Sequence, residues 1–385
     1  MPYLDHAATT PLRDEARQAM LPWLGAAGNA SSAHRAGRQA RVAVERAREQ
    51  VAGVLAAEPG EVVFTSGGTE SDNLAIRGVL TGAARRHTER GGLVTGATEH
   101  HAVLHTAEAL AADGHPVAVL DPGADGRISP DAVARAVTDE TGLVSLMLVN
   151  NETGAVHDLP AVADVARQRG AVTHTDAVQA AGLLPLDVDA LAVDLLSLSA
   201  HKVGGPQGVG ALFVRSGTPF GSTQTGGAQE RGRRGGTENV AGVVGFATAL
   251  ALAERERAET AGALAALRDG LRRRLTAALG DRLVVNTPDH AAPHILNVSV
   301  RPGPAGPLDG EMLLAALDLD GVMVSAGSAC TSGALEPSHV LQALGLDRAT
   351  AGATVRFSLG RTTTEADTAT AADALARIVQ RLDAC

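Results

Sequence analysis

The chain has few cysteines, few aromatic side chains and no long uninterrupted apolar run, and each shortage excludes a class of protein. Cys330 and Cys385 are the only cysteines among 385 residues; a disulfide scaffold needs more of them, and a zinc cluster needs ligands closer together. Aromatic residues make up 2% of the chain and offer little for stacking on single-stranded nucleic acid. The stretch 180–198 is mainly apolar, but Pro185 and three aspartates interrupt it, so no membrane span is expected.

Positive charge is also in deficit. The formal net charge is −10, which argues against a protein that binds nucleic-acid backbones in general. The first residues lack a charged segment followed by an apolar one, so we expect no signal peptide. We therefore expect a reduced, cytoplasmic protein with no membrane partner and no direct nucleic-acid partner.

The residues that are abundant are typical of a globular α/β protein. Hydrophobic residues account for 45% of the chain and charged residues for 20%, and 44 glycines suit many tight turns. A length of 385 residues is too great for one ordinary core. We therefore predict two domains, a large one at 15–255 and a small one formed by 1–14 plus 256–385.

Strand and helix patterns alternate through the first part of the chain. Short apolar runs predict strands, and helical periodicity between them predicts helices, with Ser32 and Ser129 at two of the starts. Such alternation indicates a mostly parallel sheet covered by helices on both faces. The predicted strands are 62–65, 93–95, 117–120, 143–149, 171–175, 195–197 and 209–214, and the predicted helices are 32–54, 70–80, 102–112, one from 129, and 159–169.

The second part of the chain is less apolar and follows a different pattern. A long helix is predicted at 240–279, with a break near 260–262. We interpret the remainder as a smaller α/β domain. Its predicted strands are 295–300, 322–325 and 353–357, and its predicted helices are 311–317 and 364–382.

Lys202 lies between two apolar segments, at the end of the sequence SLSAHK (197–202). Most lysines lie on exposed loops, but a lysine held inside such a segment is costly to desolvate and therefore suggests a function. Burial lowers the pKa of an amine and makes it nucleophilic enough for a Schiff base with a carbonyl cofactor. The neighbouring hydroxyls and His201 suit a phosphate, so the segment suggests pyridoxal phosphate.

Polar residues follow five of the predicted strands at equivalent places. Ligands of open α/β sheets lie beyond the carboxyl ends of the strands, so these residues predict one common site. In chain order they are Gly68 and Thr69, His100, Asn150 and Asn151, Asp176, and His201 and Lys202.

Three of these features have a functional and a plainer interpretation. The sequence SGGT at 66–69 can hold a phosphate at a helix start, or it can be an ordinary turn. Asp176 can face the nitrogen of a pyridine ring, or it can cap a helix. Gln179 can contact the same ligand, or it can face solvent.

His100 opens a segment that is rich in histidine. Its ring can stack on a planar cofactor or move a proton, and the alternative is an ordinary surface histidine. His101 and His105 are spaced for zinc, but no glutamate follows the first histidine as it does in the zinc-protease motif. We therefore predict no metal site.

Cys330 lies in a stretch of small residues, AGSACTSG at 326–333. Structural cysteines are more often buried among apolar residues, so this one is interpreted as a nucleophile or redox thiol on a loop. Cys385 is the last residue and is treated as incidental. Arg356 lies on a predicted strand and suits either a substrate carboxylate or a structural ion pair.

Together these motifs resemble those of the cysteine desulfurases, in the class V aminotransferase superfamily of pyridoxal phosphate enzymes. The resemblance covers nearly the whole chain and implies the fold type I architecture, with a large domain and a smaller α/β domain. Within the family, the sequence around Cys330 resembles the NifS/IscS-like group. The motifs are YLDHAATTP at 3–11, FTSGGTESDN at 64–73, TEH at 98–100, VNNETG at 149–154, SAHK at 199–202, GSACTS at 327–332 and RFSLGR at 356–361.

The resemblance implies a role for each matching residue. Lys202 forms the Schiff base and moves the α-proton of L-cysteine, His100 stacks on the ring, and the Cys330 thiolate accepts sulfur as a persulfide while alanine is released. Arg356 and Asn151 hold the substrate carboxylate. The residues implied in cofactor binding are Gly68, Thr69, Ser199 and His201 at the phosphate, Asp176 at the ring nitrogen, Gln179 and Asn151 near the ring oxygen, and Thr237 at the phosphate of the neighbouring subunit, which implies a homodimer.

Two other kinds of function stay open at this point. One is another class V reaction, selenocysteine lyase or aminotransferase, and the other is a non-catalytic protein that retains the fold. Longer relatives carry a C-terminal tail that docks an iron–sulfur scaffold, whereas this chain stops at Cys385. Iron–sulfur assembly, tRNA thiolation, DNA phosphorothioation and biosynthesis are all compatible destinations for the sulfur.

Overall fold

The computed structural model describes residues 1–85, 90–304, 306–326 and 337–383. In the first part, short apolar runs form strands and the segments between them form helices, as the sequence predicts. The strands are β1 (Val62–Thr65), β2 (Gly92–Gly96), β3 (Val117–Leu120), β4 (Thr141–Ser145), β5 (Val172–Asp176), β6 (Leu195–Ser199) and β7 (Gly210–Val214).

These seven strands form one sheet in the order β1-β7-β6-β5-β4-β2-β3. Strands β2 to β6 pair in parallel, and β7 is antiparallel to both of its neighbours. The predicted α/β architecture with a mostly parallel sheet is confirmed. Because β7 reverses the direction once on each side, β1 and β6 run the same way. The carboxyl ends of β1, β2, β4, β5 and β6 therefore share one edge.

Helices cover the sheet and begin mostly at capping side chains. The Ser129 hydroxyl accepts from the backbone N–H of Ala132 and Pro130 is the first helical residue, as predicted. The helix predicted from Ser32 begins later, because His34 is its capping residue. The helices are α1 (Asp14–Leu24), α2 (Arg35–Leu55), α3 (Gly68–Arg85), α4 (His101–Ala112), α5 (Pro130–Ala136) and α6 (Leu159–Gln168).

The second part of the chain builds a smaller, antiparallel sheet with its own helices. Strands β8, β9 and β10 pair in the order β10-β9-β8. None of the helices in the described residues is long and apolar enough to cross a lipid bilayer. The elements are α7 (Val240–Leu279), β8 (Leu283–Val285), β9 (Ile295–Val300), α8 (Gly310–Leu319), α9 (His339–Ala343), α10 (Arg348–Gly352), β10 (Thr354–Ser358) and α11 (Glu365–Asp383).

Three predictions about elements are wrong. The strand predicted at 143–149 ends at Ser145, although the backbone N–H groups of Leu146 and Leu148 still donate to carbonyl oxygens of β5. The segment 322–325 makes only isolated bridges and no strand. Helix α7 continues without the predicted break near 260–262. Residues before and after this segment bury their side chains, and that packing stabilises one continuous helix.

Helix α7 contributes to two separate hydrophobic clusters. Its first half, including Phe246 and Leu250, packs in the cluster under the large sheet. Its second half, including Leu271 and Leu275, packs with the small sheet, and Leu4 from the N-terminal segment joins them there. The domain boundaries at 15–255 and at 1–14 plus 256–385 stay a prediction.

Candidate active site

One cavity of about 630 Å³ lies at the shared carboxyl edge of the large sheet. Thr237 is not among the residues that line it and is exposed, and Cys330 lies outside the described residues. The predicted site residues that line the cavity are Gly68, Thr69, His100, Asn151, Asp176, Gln179, Ser199, His201, Lys202 and Arg356.

Lys202 follows β6 on a short helical turn, and its side chain enters this cavity. Its Nζ atom donates to the carbonyl oxygens of Ala7 (2.5 Å) and Ala8 (2.8 Å). Burial lowers the pKa of Lys202 to about 8, and the nearby Arg356 guanidinium adds to that effect. The sequence also holds a signal that the motif analysis missed: Lys202 is the only lysine of the chain.

Asp176 ends β5 and faces the same cavity. Its Oδ1 atom accepts from the backbone N–H of Val178 (2.8 Å), which fixes the carboxylate at the strand end. Burial raises the pKa of Asp176, whereas that N–H and the Lys202 ammonium oppose the rise. A carboxyl group in this position suits a cationic ring nitrogen, because a positive partner would restore its charged form.

An anion cradle forms where β1 leads into α3. The first N–H groups of a helix have no carbonyl of their own helix to bond, so they are free to bind an anion at the start of α3, where Gly68 and Thr69 lie. The turn before them requires glycine, since Gly67 has a φ of +151°. Ser199 and His201 complete the cradle, and the His201 Nδ1 atom lies 3.1 Å from the Thr9 hydroxyl.

His100 both caps a helix and opens onto the cavity. Its Nδ1 atom accepts from the backbone N–H of Ala102 (3.1 Å), so the ring proton of the neutral imidazole is on Nε2. Burial, with a further effect of the Lys202 charge, lowers the pKa of His100 to about 4. The ring is therefore neutral at physiological pH.

Arg356 is held by two groups at the cavity wall. Its Nη1 atom donates to the carbonyl oxygen of Asn151 and its Nη2 atom to the Asp5 carboxylate, both at 2.8 Å. Asn151 is set in place by its neighbour Asn150, whose buried side chain accepts from the backbone N–H groups of Glu152 and Thr153. From the sequence, Asn150 is only a strand-end residue; in the structure its side-chain hydrogen bonds hold this loop in place.

Near Asp176 lies a group of buried ionisable residues that was not predicted from the sequence. Asp72 on α3 and Glu99 after β2 are each 1% exposed, and burial raises the pKa of both well above its ordinary range. The neutral ring of His174 joins them, with its Nε2 atom 3.0 Å from the Ser197 hydroxyl and 3.7 Å from Asp72 Oδ1. Asp72 and Glu99 fall within the motifs at 64–73 and 98–100, but those motifs point to no role for them, since only the sheet brings α3, β5 and β6 together.

The histidine spacing that suggests zinc in the sequence can be judged from the positions of the imidazole rings. His101 and His105 stack in parallel with ring centroids 4.8 Å apart, and His339 approaches His101 at 4.6 Å. Within the ranges that the structure describes, no group of three or more histidine, cysteine, aspartate or glutamate residues has an arrangement that could hold a metal ion.

The cavity residues fit pyridoxal phosphate. The fit rests on the donor set: one amine with a lowered pKa, one carboxylate at a strand end and one anion cradle open onto the same space. The three groups match the aldehyde, the ring nitrogen and the phosphate of that cofactor.

Comparisons with known proteins agree with this geometry. The class-V aminotransferase family model matches residues 2–370. The cysteine desulfurase IscS of Dictyoglomus turgidum is 42% identical over 381 residues, which are 99% of this chain and 95% of that relative. A solved NifS-like protein has a TM-score of 0.89 at 34% identity and covers 99% of this chain and 100% of its own. A structure described as SspA in complex with cysteine has a TM-score of 0.81 at 35% identity, over 93% of this chain and 99% of that one. The chain therefore belongs to the class-V aminotransferase family and, within it, to the cysteine desulfurases, which are pyridoxal-phosphate-dependent enzymes.

Proposed function

We propose that this enzyme removes sulfur from L-cysteine, releases L-alanine and keeps the sulfur as a persulfide on Cys330. The observation that carries the proposal is the cavity in which the only lysine, Lys202, shares one space with Asp176 and the anion cradle. A solved relative described as a complex with cysteine supports the choice of substrate.

The cofactor would be held by the groups that line the cavity. Gly68, Thr69, Ser199 and His201 would bind its phosphate, Asp176 its ring nitrogen, and Gln179 and Asn151 the neighbourhood of its ring oxygen. When bound, the cofactor supplies an electron sink that makes the α-proton of an amino acid acidic. The neutral ring of His100 would cover one face and help to move protons.

Lys202 is the proposed base for the α-proton. A pKa of about 8 leaves a usable fraction of neutral amine near physiological pH, whereas an ordinary lysine is almost wholly protonated there. The carbonyls of Ala7 and Ala8 hold Nζ at the cavity wall until a ligand enters.

Arg356 and Asn151 are the proposed contacts of the substrate carboxylate. The Arg356 guanidinium is already turned to the cavity wall by Asp5 and by the Asn151 carbonyl. A substrate carboxylate would compete with Asp5 for the same donors, and the guanidinium geometry favours a paired hydrogen bond to it.

The Cys330 thiolate is the proposed sulfur acceptor. A sulfur–sulfur bond forms as the carbon–sulfur bond of the substrate breaks; the bonding electrons stay with carbon, which takes up a proton to become the methyl group of alanine. Ala326 and His339, on either side of the segment that carries Cys330, both line the cavity. Four residues extend at most about 14 Å, so Cys330 is within chain reach of it.

A homodimer and a sulfur-acceptor protein complete the proposal. Thr237 would bind the cofactor phosphate of the partner subunit, which agrees with its exposure outside the cavity of its own chain. The persulfide would pass to an acceptor protein, in a compartment such as the cytoplasm that keeps thiols reduced. The two-domain division at 15–255 and 1–14 plus 256–385 is supported by the separate cores at the two ends of α7.

The test compares the holoenzyme with Cys330→Ala and, as a matched control, Cys385→Ala. With L-cysteine, the wild type and Cys385→Ala should form alanine and a persulfide that mass spectrometry locates on Cys330. Cys330→Ala should bind L-cysteine but form neither sulfide nor persulfide. Turnover at the wild-type rate in Cys330→Ala would refute the persulfide step, and formation of a keto acid would instead identify an aminotransferase.

A further inference from the structure

We propose that His294 is a positioning residue for the cofactor, because its imidazole fixes the orientation of the Gln179 amide. One N–H of that amide is then left to face the cavity, where it can only donate a hydrogen bond. The inference rests on the proposed role of Gln179 at the cofactor ring oxygen.

The Gln179 amide is committed at two of its atoms. Its Nε2 atom donates to the Ala7 carbonyl (2.9 Å), and its Oε1 atom lies 3.3 Å from His294 Nε2. An amide group offers two N–H donors and one oxygen. With the oxygen and one N–H engaged, the second N–H is the group left over, and Gln179 is one of the residues that line the cavity.

The tautomer of His294 follows from its two ring nitrogens. The residue is 3% exposed, and its Nδ1 atom has no hydrogen-bond partner in the described parts of the chain. A buried N–H without an acceptor is rarer than a buried acceptor without a donor, so the proton belongs on Nε2, which faces the Gln179 oxygen.

The imidazole is also held neutral. Burial lowers the pKa of His294 to about 3, and the positive charges of Arg356, Arg268 and Lys202, together with His6, act in the same direction. A neutral ring with its proton on Nε2 has one N–H donor, and the acceptor that faces this N–H is Gln179 Oε1.

His294 reaches Gln179 from a distant part of the sequence. It directly precedes β9, and its carbonyl oxygen accepts from the N–H of Leu359 (2.8 Å), which ties it to the segment after β10. It lines a small chamber of about 80 Å³, which Gln179 and Lys202 also line. The small antiparallel sheet thereby helps to set a donor in the cavity of the large sheet.

The experiment follows the bound cofactor in the wild type, His294→Leu and His294→Gln. Leucine fills the space without a donor, whereas glutamine can present its Nε2–H near the position of the imidazole Nε2–H. Without the His294 Nε2–H donor, the Gln179 amide can turn its oxygen to the cavity. The hydrogen bond from that amide to the ionised ring oxygen of the cofactor is then lost.

In His294→Leu we therefore expect the pH midpoint of the cofactor absorbance change to move upward and cofactor affinity to fall roughly threefold to tenfold. His294→Gln should restore both values. Identical midpoints and affinities in the wild type and His294→Leu would overturn the proposal, as would a glutamine variant that behaves like the leucine variant.

Two further measurements separate this inference from the proposed site. Gln179→Leu should shift the midpoint, and His294→Leu should add nothing in that background; an added shift would overturn the inference. If Gln179→Leu leaves the midpoint unchanged, the proposed cofactor contact itself is wrong. If His294→Leu does not fold, the tautomer of His294 can be read from ¹⁵N-histidine NMR of the wild type, with the His294 signals assigned by comparison with His294→Gln. An Nε2–H tautomer supports the proposal, and an Nδ1–H tautomer refutes it.

Discussion

At the residue scale, burial decides which ionisable groups of this site carry charge. Burial lowers the pKa of Lys202 and raises the pKa of Asp176, Asp72 and Glu99. Neighbouring carboxylates cannot all ionise in a desolvated cluster that has one nearby ammonium. Asp176 is the most exposed of the three carboxyl groups, and the Lys202 ammonium lowers its pKa, so we assign the negative charge to it.

The lowered pKa of Lys202 can be tested in the apoprotein. Lys202 is the only lysine of the chain, so reductive methylation of its side-chain amine can be followed without interference from another lysine. The rate at Lys202 should reach half of its maximum near the pKa of about 8 and level off about one pH unit higher, where most of the amine is neutral. A rate that keeps rising beyond pH 10, as for an exposed lysine, would refute the assignment. Lys202→Arg provides the blank.

The buried Asp72 should make the stability of the protein depend on pH. The folded state holds its proton and the unfolded state, with a pKa near 3.8, releases it. The contribution of the Asp72 proton to the free energy of unfolding is therefore fully present below about pH 4. It is lost as pH rises toward the pKa of Asp72 in the folded state, by about 1.4 kcal/mol per pH unit.

Asp72→Asn removes this loss, so its unfolding free energy should exceed that of the wild type by an amount that grows from pH 4 upward. Urea unfolding at several pH values measures the difference. The exposed Asp131 is the matched control, because Asp131→Asn makes the same substitution outside a buried site. A gap between Asp72→Asn and the wild type that is constant with pH would contradict the assigned protonation.

At the scale of single elements, helix α7 shows where a sequence pattern misleads. A glycine in a polar stretch predicts a break, yet the helix runs unbroken from Val240 to Leu279. Both halves of the helix bury apolar side chains, and that packing outweighs the propensity cost of one exposed glycine, Gly262.

Gly262→Ala should therefore stabilise the protein by about 0.5 to 1 kcal/mol. A Cβ added at Gly262 meets nothing within 4 Å, so the gain in helix propensity is not offset by a clash. Gly242 in the same helix is the control, because its Cβ would lie 2.4 Å from Val209 Cγ2, and Gly242→Ala should destabilise. Thermal unfolding of both variants checks the opposite signs; a destabilised Gly262→Ala would contradict the account.

At the scale of the whole molecule, we expect each proposed active site to need a second copy of the chain. Thr237 does not line the cavity of its own chain, although the family resemblance implies it at a phosphate. If the site is shared, Lys202→Ala and Thr237→Ala damage different halves of it.

A mixed dimer of these two variants should recover activity. One of its two sites takes Lys202 from one chain and Thr237 from the other, and is therefore intact. Mixing Lys202→Ala with Thr237→Ala under conditions of subunit exchange should give more alanine from L-cysteine than either parent. Recovery that is absent although mass spectrometry detects the mixed dimer would refute a shared site.

The sequence alone determined the α/β architecture, the family and the strand-end residues that line the cavity, because strand periodicity and short motifs at strand ends are local in the chain. Gly68, His100 and Lys202 follow β1, β2 and β6, Asp176 ends β5, and the sheet places the carboxyl ends of these strands at one edge. The unbroken α7, the buried Asp72 and the His294–Gln179 contact could not be predicted in this way. Each depends on groups that are far apart in sequence, and only tertiary packing sets their burial and their hydrogen-bond partners.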